Sequence, residues 1–128
     1  MALIWNNLLA IVIGASMGAS LRWILSVWLN SKFENLPFGT LVANLFGAFL
    51  IGIFYEIFDQ FIKISNDLKL LIITGFLGSL TTFSTFTLES IMLFQKGDYF
   101  MVLMHLIFHL FGSILFCILG IMTWRWLF

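Results

Sequence analysis

Charged side chains are scarce in this chain. Only 9% of its 128 residues are Asp, Glu, Lys or Arg, whereas about 25% is usual for a soluble domain. The mean hydropathy is +1.10, and 62% of the residues are hydrophobic. A soluble monomer of this length cannot bury so much apolar surface. The composition therefore excludes an ordinary water-soluble domain and indicates a protein whose solvent is lipid.

Other features that the sequence lacks exclude further classes of function. A single cysteine, Cys117, excludes an intramolecular disulfide. Six basic residues balance six acidic ones, and there is no basic patch, Walker loop or dinucleotide fingerprint, so we expect no nucleic-acid or nucleotide partner. No basic residue precedes the first apolar run, which argues against a signal peptide. No catalytic motif is present, and we expect no enzymatic activity.

Four long segments lack charge, namely residues 1–21, 35–55, 70–88 and 99–124. Each is about long enough to cross a bilayer as a helix. We predict an all-α membrane protein with one domain of four transmembrane helices, spanning about 3–29, 37–58, 69–95 and 99–126. An even number of spans places both termini on the same side.

The third segment has the composition of a helix that breaks. Its stretch from Gly75 to Phe86 holds two glycines, two serines and three threonines. Inside a membrane, backbone groups freed by a break must be buried in protein or line a polar cavity. Broken helices at that depth are typical of sites that bind ions and polar solutes. This segment therefore favours a function in permeation or transport.

The basic residues are balanced across the predicted membrane. Lys63, Lys69 and Arg125 fall on the side of the termini, and Arg22, Lys32 and Lys96 fall on the other. Orientation normally follows an imbalance of Lys and Arg. The balance predicts insertion in both orientations, which would allow an antiparallel two-fold homodimer.

Polar residues in the second and fourth spans fall on single helix faces. Thr40, Asn44 and Gly47 share one face, and Asn44 either joins helices or lines a pore. His105, His109 and Ser113 follow at i, i+4 and i+8. They favour a polar stripe facing water or another helix. The alternative is a metal- or haem-binding redox subunit, for which the chain offers no second ligand pair.

Three spans also carry motifs in a recognisable order: Gly14-x-x-x-Gly18-Ala-x-x-Arg22, Gly39-Thr-Leu-x-x-Asn44-x-x-Gly47, and Gly75-x-x-Gly78-x-x-Thr81-Thr-Phe-Ser-Thr-Phe86. Together they resemble the Fluc/CrcB family of small fluoride channels. The resemblance implies a dual-topology antiparallel homodimer in the bacterial inner membrane, with multi-pass chains and two pores that export fluoride passively and protect the cell from its toxicity.

The resemblance also implies roles for individual residues. Phe83 and Phe86 match the family's pore phenylalanines, and the backbone carbonyls of Gly78 and Thr81 match the ligands of a structural Na⁺ at the dimer centre. The full set expected along the fluoride pathway is Asn44, Phe83, Phe86, Ser84, Thr85, Ser113, His109 and Arg22. In the fourth span the family often has a tyrosine and serines, whereas this chain has His105 and His109 before Ser113.

A small proton-coupled multidrug transporter is the alternative, since such proteins also have four helices and form antiparallel dimers. That mechanism requires a membrane-embedded carboxylate. The first span has no Asp or Glu, and Glu56 and Glu89 are the acidic residues nearest to the spans. This pattern favours the channel.

Overall fold

The computed structural model describes residues 2–31, 37–61 and 63–128. Four helical stretches are long and apolar enough to cross a membrane: Ile4–Asn30, Phe38–Gln60, Asn66–Gln95 and Tyr99–Leu127. The first, second and fourth are the single helices α1 (Ala2–Asn30), α2 (Phe38–Gln60) and α6 (Tyr99–Leu127). The prediction of an all-α chain with four candidate spans is confirmed.

The third stretch is assembled from shorter pieces. It begins with α3 (Asn66–Lys69), continues as a π-helical segment (Leu70–Leu77) and α4 (Gly78–Leu80), and ends with α5 (Phe83–Gln95). Between α4 and α5, Thr81 (φ −82°, ψ 151°) and Thr82 (φ −149°, ψ 122°) are extended. The Thr82 hydroxyl accepts the Thr85 N–H at 3.2 Å and so caps the start of α5.

Glycines let two pairs of helices approach to backbone contact. A Cβ on Gly14 of α1 would collide with the Leu71 carbonyl of the π-helical segment. Between α2 and α6, a Cβ on Gly52 would collide with the Cys117 carbonyl, and one on Gly120 with the Phe49 carbonyl. Small residues at such crossings are typical of helices that pack in lipid.

The buried core is small and lies beside the interruption of the third stretch. Ala43, Leu77 and Leu80 are its fully buried members, and Phe76 and Leu21 pack against it. Many large apolar side chains face outward, as expected where the surroundings are lipid. The core therefore fixes α2 against the pieces of the third span, at the level where the polar residues lie.

The ends of α2 and α6 are joined by polar contacts. Arg125 donates a hydrogen bond to the buried Glu56 carboxylate at 2.7 Å, and Trp124 Nε1 donates to Gln60 Oε1 at 3.1 Å. Lys32, which entered the predicted charge balance, lies outside the described residues.

Candidate functional site

The side chain of Asn44 holds the interruption in place. The Thr82 N–H donates to Asn44 Oδ1 at 2.7 Å, and Asn44 Nδ2 donates back to the Thr82 carbonyl at 3.1 Å. An extended residue inside a span exposes both of its backbone groups, and Asn44 satisfies both. The asparagine thus joins α2 to the interruption, which is one of the two predicted roles. It also lines a cavity, and the pore-lining role stays a prediction.

The contacts around Thr82 also deprive two backbone carbonyls of their helical hydrogen-bond donors. In a continuous helix, the Thr82 N–H would donate to the Gly78 carbonyl and the Thr85 N–H to the Thr81 carbonyl. Instead these donors are directed to Asn44 Oδ1 and Thr82 Oγ1. The carbonyls of Gly78 and Thr81 therefore each lack the i+4 N–H partner that they would have in a continuous helix.

A partly open cavity of about 750 Å³ lies beside the interruption. It brings together residues from α2, the third span and α6 that are distant in sequence. Among the residues selected from the sequence, its lining includes Asn44, Gly78, Thr81, Phe83, Phe86, His109 and Ser113.

The two phenylalanines expected along the fluoride pathway differ in exposure. Phe83 is 78% exposed, whereas Phe86 is half-buried, and their ring centroids lie 5.4 Å apart at an interplanar angle of 49°. An exposed aromatic ring at a cavity mouth can present its electropositive edge to an anion.

Three predicted pathway residues lie outside the cavity lining. Ser84 and Thr85 turn toward the capping hydroxyl of Thr82, with oxygen–oxygen distances of 3.2 and 3.0 Å. Arg22 lies well before the end of α1, and its Nε donates to the Ser79 carbonyl at 3.0 Å. Arg22 thus satisfies a carbonyl of α4. It lies within the first span and not in a loop at its end.

Phe86 packs on both histidines of α6. Its ring centroid lies 5.2 Å from that of His105 and 4.7 Å from that of His109, and the two imidazoles are 4.3 Å apart. Both histidines are buried. The i, i+4 spacing therefore produces a compact aromatic cluster in which the ring on α5 fixes the rings on α6.

Glu89 and Thr40 extend this cluster, and neither was among the predicted pathway residues. The Thr40 hydroxyl donates to Glu89 Oε1 at 2.6 Å, and Glu89 Oε2 lies 3.7 Å from His105 Nε2. Two signals could have found them. Thr40 shares a helix face with Asn44. Glu89 follows Phe86 by three residues on α5, so its carboxylate lies on the same face of the helix as the Phe86 ring.

The orientation of the Asn44 amide fixes the proton on His109. Asn44 Nδ2 lies 3.0 Å from His109 Nδ1. Because Asn44 Oδ1 accepts from a backbone N–H, the nitrogen of the amide must be the group that faces the imidazole. His109 Nδ1 is then the acceptor, and a neutral ring carries its proton on Nε2.

Known proteins resemble this chain over nearly its whole length. A relative from Cupriavidus pinatubonensis is 51% identical over 116 residues, which cover 91% of this chain and 92% of the relative. Relatives from Chromohalobacter salexigens and Marinobacter nauticus are 49% and 45% identical over 119 residues, covering 93% of this chain and 90% and 94% of the relatives. All three carry the name fluoride-specific ion channel FluC.

A family model described as CrcB-like protein, Camphor Resistance (CrcB), matches residues 9–121. This match includes every residue assigned above to the cavity, the interruption and the histidine cluster. The chain belongs to the CrcB family.

Proposed function

We propose that this protein is a fluoride-selective channel that lets fluoride leave a bacterial cell passively across the inner membrane and so protects the cell from fluoride toxicity. The observation that carries the proposal is the cavity beside the interrupted third span, where an amide, aromatic rings and a hydroxyl meet. The relatives named as fluoride-specific channels support it and do not support the multidrug-type alternative.

The chemistry of the cavity suits a small anion. Fluoride is strongly hydrated, so a selective path must replace water with closely spaced hydrogen-bond donors. The Ser113 hydroxyl, which lines the cavity, is a donor of this kind, and Phe83 and Phe86 add ring edges. Both N–H groups of the Asn44 amide are directed to the Thr82 carbonyl and to His109, so Asn44 would position the path and would donate to fluoride only after one of these contacts breaks. Among the described residues that line the cavity there is no lysine or arginine to hold the anion too tightly for release.

The proposed assembly is an antiparallel homodimer. The cavity is partly open, and Phe83 beside it is mostly exposed. A second copy related by a two-fold axis in the membrane would cover such a face, and each chain would contribute to two equivalent paths. The balanced basic residues support this arrangement, because they give neither orientation an advantage.

A structural Na⁺ at the centre of the dimer forms part of the proposal. The freed carbonyls of Gly78 and Thr81 fit it, because hard backbone oxygens suit an alkali cation and their helical donors are directed elsewhere. Two carbonyls from each chain would hold the ion, which would supply positive charge to backbone oxygens that have lost their helical donors.

Fluoride efflux from liposomes tests the function. Purified protein in liposomes loaded with fluoride and chloride should release fluoride rapidly while chloride is retained. No imposed proton gradient should be needed. Equal release of both anions, or release only when a proton gradient is imposed, would contradict the proposed channel.

A further inference from the structure

Three buried polar atoms converge beside Phe86. They are Glu89 Oε2, His105 Nε2 and His109 Nε2, and none has a hydrogen-bond partner among the described residues. His105 and His109 are only 3% and 5% exposed. Leaving such groups unsatisfied in a buried site is costly, and three together in one place indicate a ligand.

The composition of this cluster is that of a metal site. One ligand atom from each of the three residues lies within 4.8 Å of the others. Two imidazoles and one carboxylate are a known ligand set of Zn²⁺ sites that keep a fourth position open. Atoms bound to one Zn²⁺ lie about 3.3 Å apart, so modest side-chain rotations would bring the three ligands to one ion.

The surroundings support the ligands. Thr40 donates to the second carboxylate oxygen of Glu89 at 2.6 Å, which orients the carboxylate in the way that outer hydrogen bonds orient metal ligands. The Phe86 ring packs against both imidazoles and restricts their rotation.

We propose that Glu89, His105 and His109 form a binding site for a divalent transition-metal ion such as Zn²⁺, and that metal bound there blocks the anion path. The binding rests on this cluster alone, whereas the block rests on the proposed function. The site differs from the sodium site in place and chemistry, since it uses side chains of α5 and α6 and not backbone carbonyls of the interruption.

Two cavities border the cluster. His109 lines the large cavity beside the interruption. His105 lines a second cavity of about 250 Å³, formed with Pro37, Phe38 and Met104 among others. A metal ion bridging the two histidines would therefore lie between the two cavities, where it would obstruct movement from one to the other.

Asn44 limits the affinity of the site. A metal on His109 Nε2 requires the proton on Nδ1, but Nδ1 faces the amino group of Asn44 at 3.0 Å. Metal binding must therefore break the contact between Asn44 and His109. In Asn44→Asp a carboxylate oxygen would face Nδ1 and accept that proton, which is the arrangement usual for metal-bound histidines. We expect this variant to bind Zn²⁺ more tightly than the native chain.

Direct metal binding tests the site without any fluoride measurement. Binding can be measured by calorimetric titration of the purified protein with Zn²⁺ and from the visible spectrum with Co²⁺. The chain has only two histidines, so few other metal sites would contribute to either signal. His105→Gln, His109→Gln and Glu89→Gln should each weaken binding by more than about tenfold, since even an outer-shell change costs that much at such sites. His105→Cys should retain binding because a thiolate also ligates Zn²⁺.

Glu56→Gln is the matched control. Glu56 is also a buried carboxylate, but it pairs with Arg125 and lies outside the cluster. Its variant should bind Zn²⁺ as the native chain does. A native chain that binds no Zn²⁺, or His105→Gln and His105→Cys variants with equal affinity, would overturn the site.

Fluoride efflux with and without Zn²⁺ then tests the block. Zn²⁺ should slow efflux through the native protein and leave the residual efflux of His105→Gln unchanged. Binding without any slowing would overturn the block and leave the site in place. A native protein with no efflux in metal-free buffer would instead count against the proposed function, and the calorimetric result would still decide the site.

Discussion

Asn44 is bonded to both backbone groups of Thr82. Its carbonyl oxygen accepts from the Thr82 N–H at 2.7 Å, and its amino group donates to the Thr82 carbonyl at 3.1 Å. An amide side chain thereby replaces the helical partners that an extended residue loses within a membrane span. The same amino group reaches His109 at 3.0 Å, so one residue of α2 links the interruption to α6.

Asn44→Ala should reduce both stability and fluoride efflux. The substitution leaves the Thr82 N–H and carbonyl without their side-chain partners, and each unsatisfied buried group costs about 1–3 kcal/mol. We expect a lower thermal unfolding temperature in detergent and strongly reduced efflux per folded protein. Native efflux in this variant would show that Asn44 neither positions the path nor lines it.

Asn30→Ala provides the matched control. The Asn30 side chain also accepts from a backbone N–H, that of Gly39 at 2.8 Å, but it lies near the ends of α1 and α2 and outside the cavity. This variant should lose some stability and keep its efflux per folded protein. A comparable loss of efflux in Asn30→Ala would mean that destabilisation alone explains the result at Asn44.

Much of the architecture follows from local sequence. Long uncharged segments predict four spans, and the structure has four helical stretches long and apolar enough to cross a membrane. The cavity residues on α2 and α5 were selected through motifs. Such patterns are visible because a helix puts residues three and four apart on one face.

Contacts between helices that are distant in sequence were harder to predict. The bond between Thr40 and Glu89 joins residues that are far apart in sequence, and no periodicity along one helix reveals it. Arg22 shows the same limitation, because nothing in the sequence of α1 indicates that its guanidinium reaches the Ser79 carbonyl. Such pairings depend on how α1, α2 and the third span are arranged, and a single helix does not encode that arrangement.

Phe83→Ile and Phe86→Ile should each slow fluoride efflux and leave the proposed dimer intact. Isoleucine keeps apolar bulk but removes the ring edge, and contacts of that kind are worth about 0.5–1.5 kcal/mol. The expected loss is therefore about two- to tenfold for each substitution, measured as the initial rate of release from liposomes. The effect at Phe86 should be the larger, because its ring also packs on His105 and His109.

Phe94→Ile is the control for these two rings. Phe94 lies on the same helix α5 and packs on Tyr99 with ring centroids 5.3 Å apart, away from the cavity. Its substitution should leave the rate unchanged. If all three variants release fluoride at the native rate, Phe83 and Phe86 are packing residues only.

Two lysines inserted between Lys63 and Ile64 should bias the orientation of the chain. This loop lies on the same side as Arg125. The added positive charge therefore favours the orientation in which that side faces the cytoplasm. If the active form is an antiparallel dimer, cells with this variant alone should lose fluoride efflux. Co-expression of a copy with two lysines inserted after Lys96 should restore it.

Two glutamines inserted at the same position control for loop length. They lengthen the connection without adding charge, so efflux should remain. The orientation of each variant can be read from the labelling of a cysteine placed next to the insertion. Full efflux from a uniformly oriented population would contradict the antiparallel dimer.

If the proposed dimer is held together by Na⁺, Gly78→Ala should weaken the dimer and reduce its dependence on Na⁺, while the single chain still folds. Gly78 has helical torsions (φ −63°, ψ −27°), and an added Cβ would meet only the Ile73 carbonyl at 3.5 Å. The methyl group is therefore tolerated within one chain. Because Gly78 also lines the cavity, a loss of efflux alone would not identify the ion site, and the decisive readout is the dimer and its response to Na⁺. We expect less cross-linked dimer and less fluoride efflux. In the native protein, replacement of Na⁺ by a large organic cation should lower dimer stability, and in the variant this difference should be small.

Gly75→Ala distinguishes this effect from a packing defect. A Cβ on Gly75 would lie 2.7 Å from the Ile11 carbonyl, so this substitution should disturb the contact between α1 and the π-helical segment in the chain itself. It should lower helical content and thermal stability in either cation. If Gly78→Ala behaves in the same way, or if exchange of Na⁺ leaves the native dimer and its efflux unchanged, the carbonyls of Gly78 and Thr81 do not hold a structural ion.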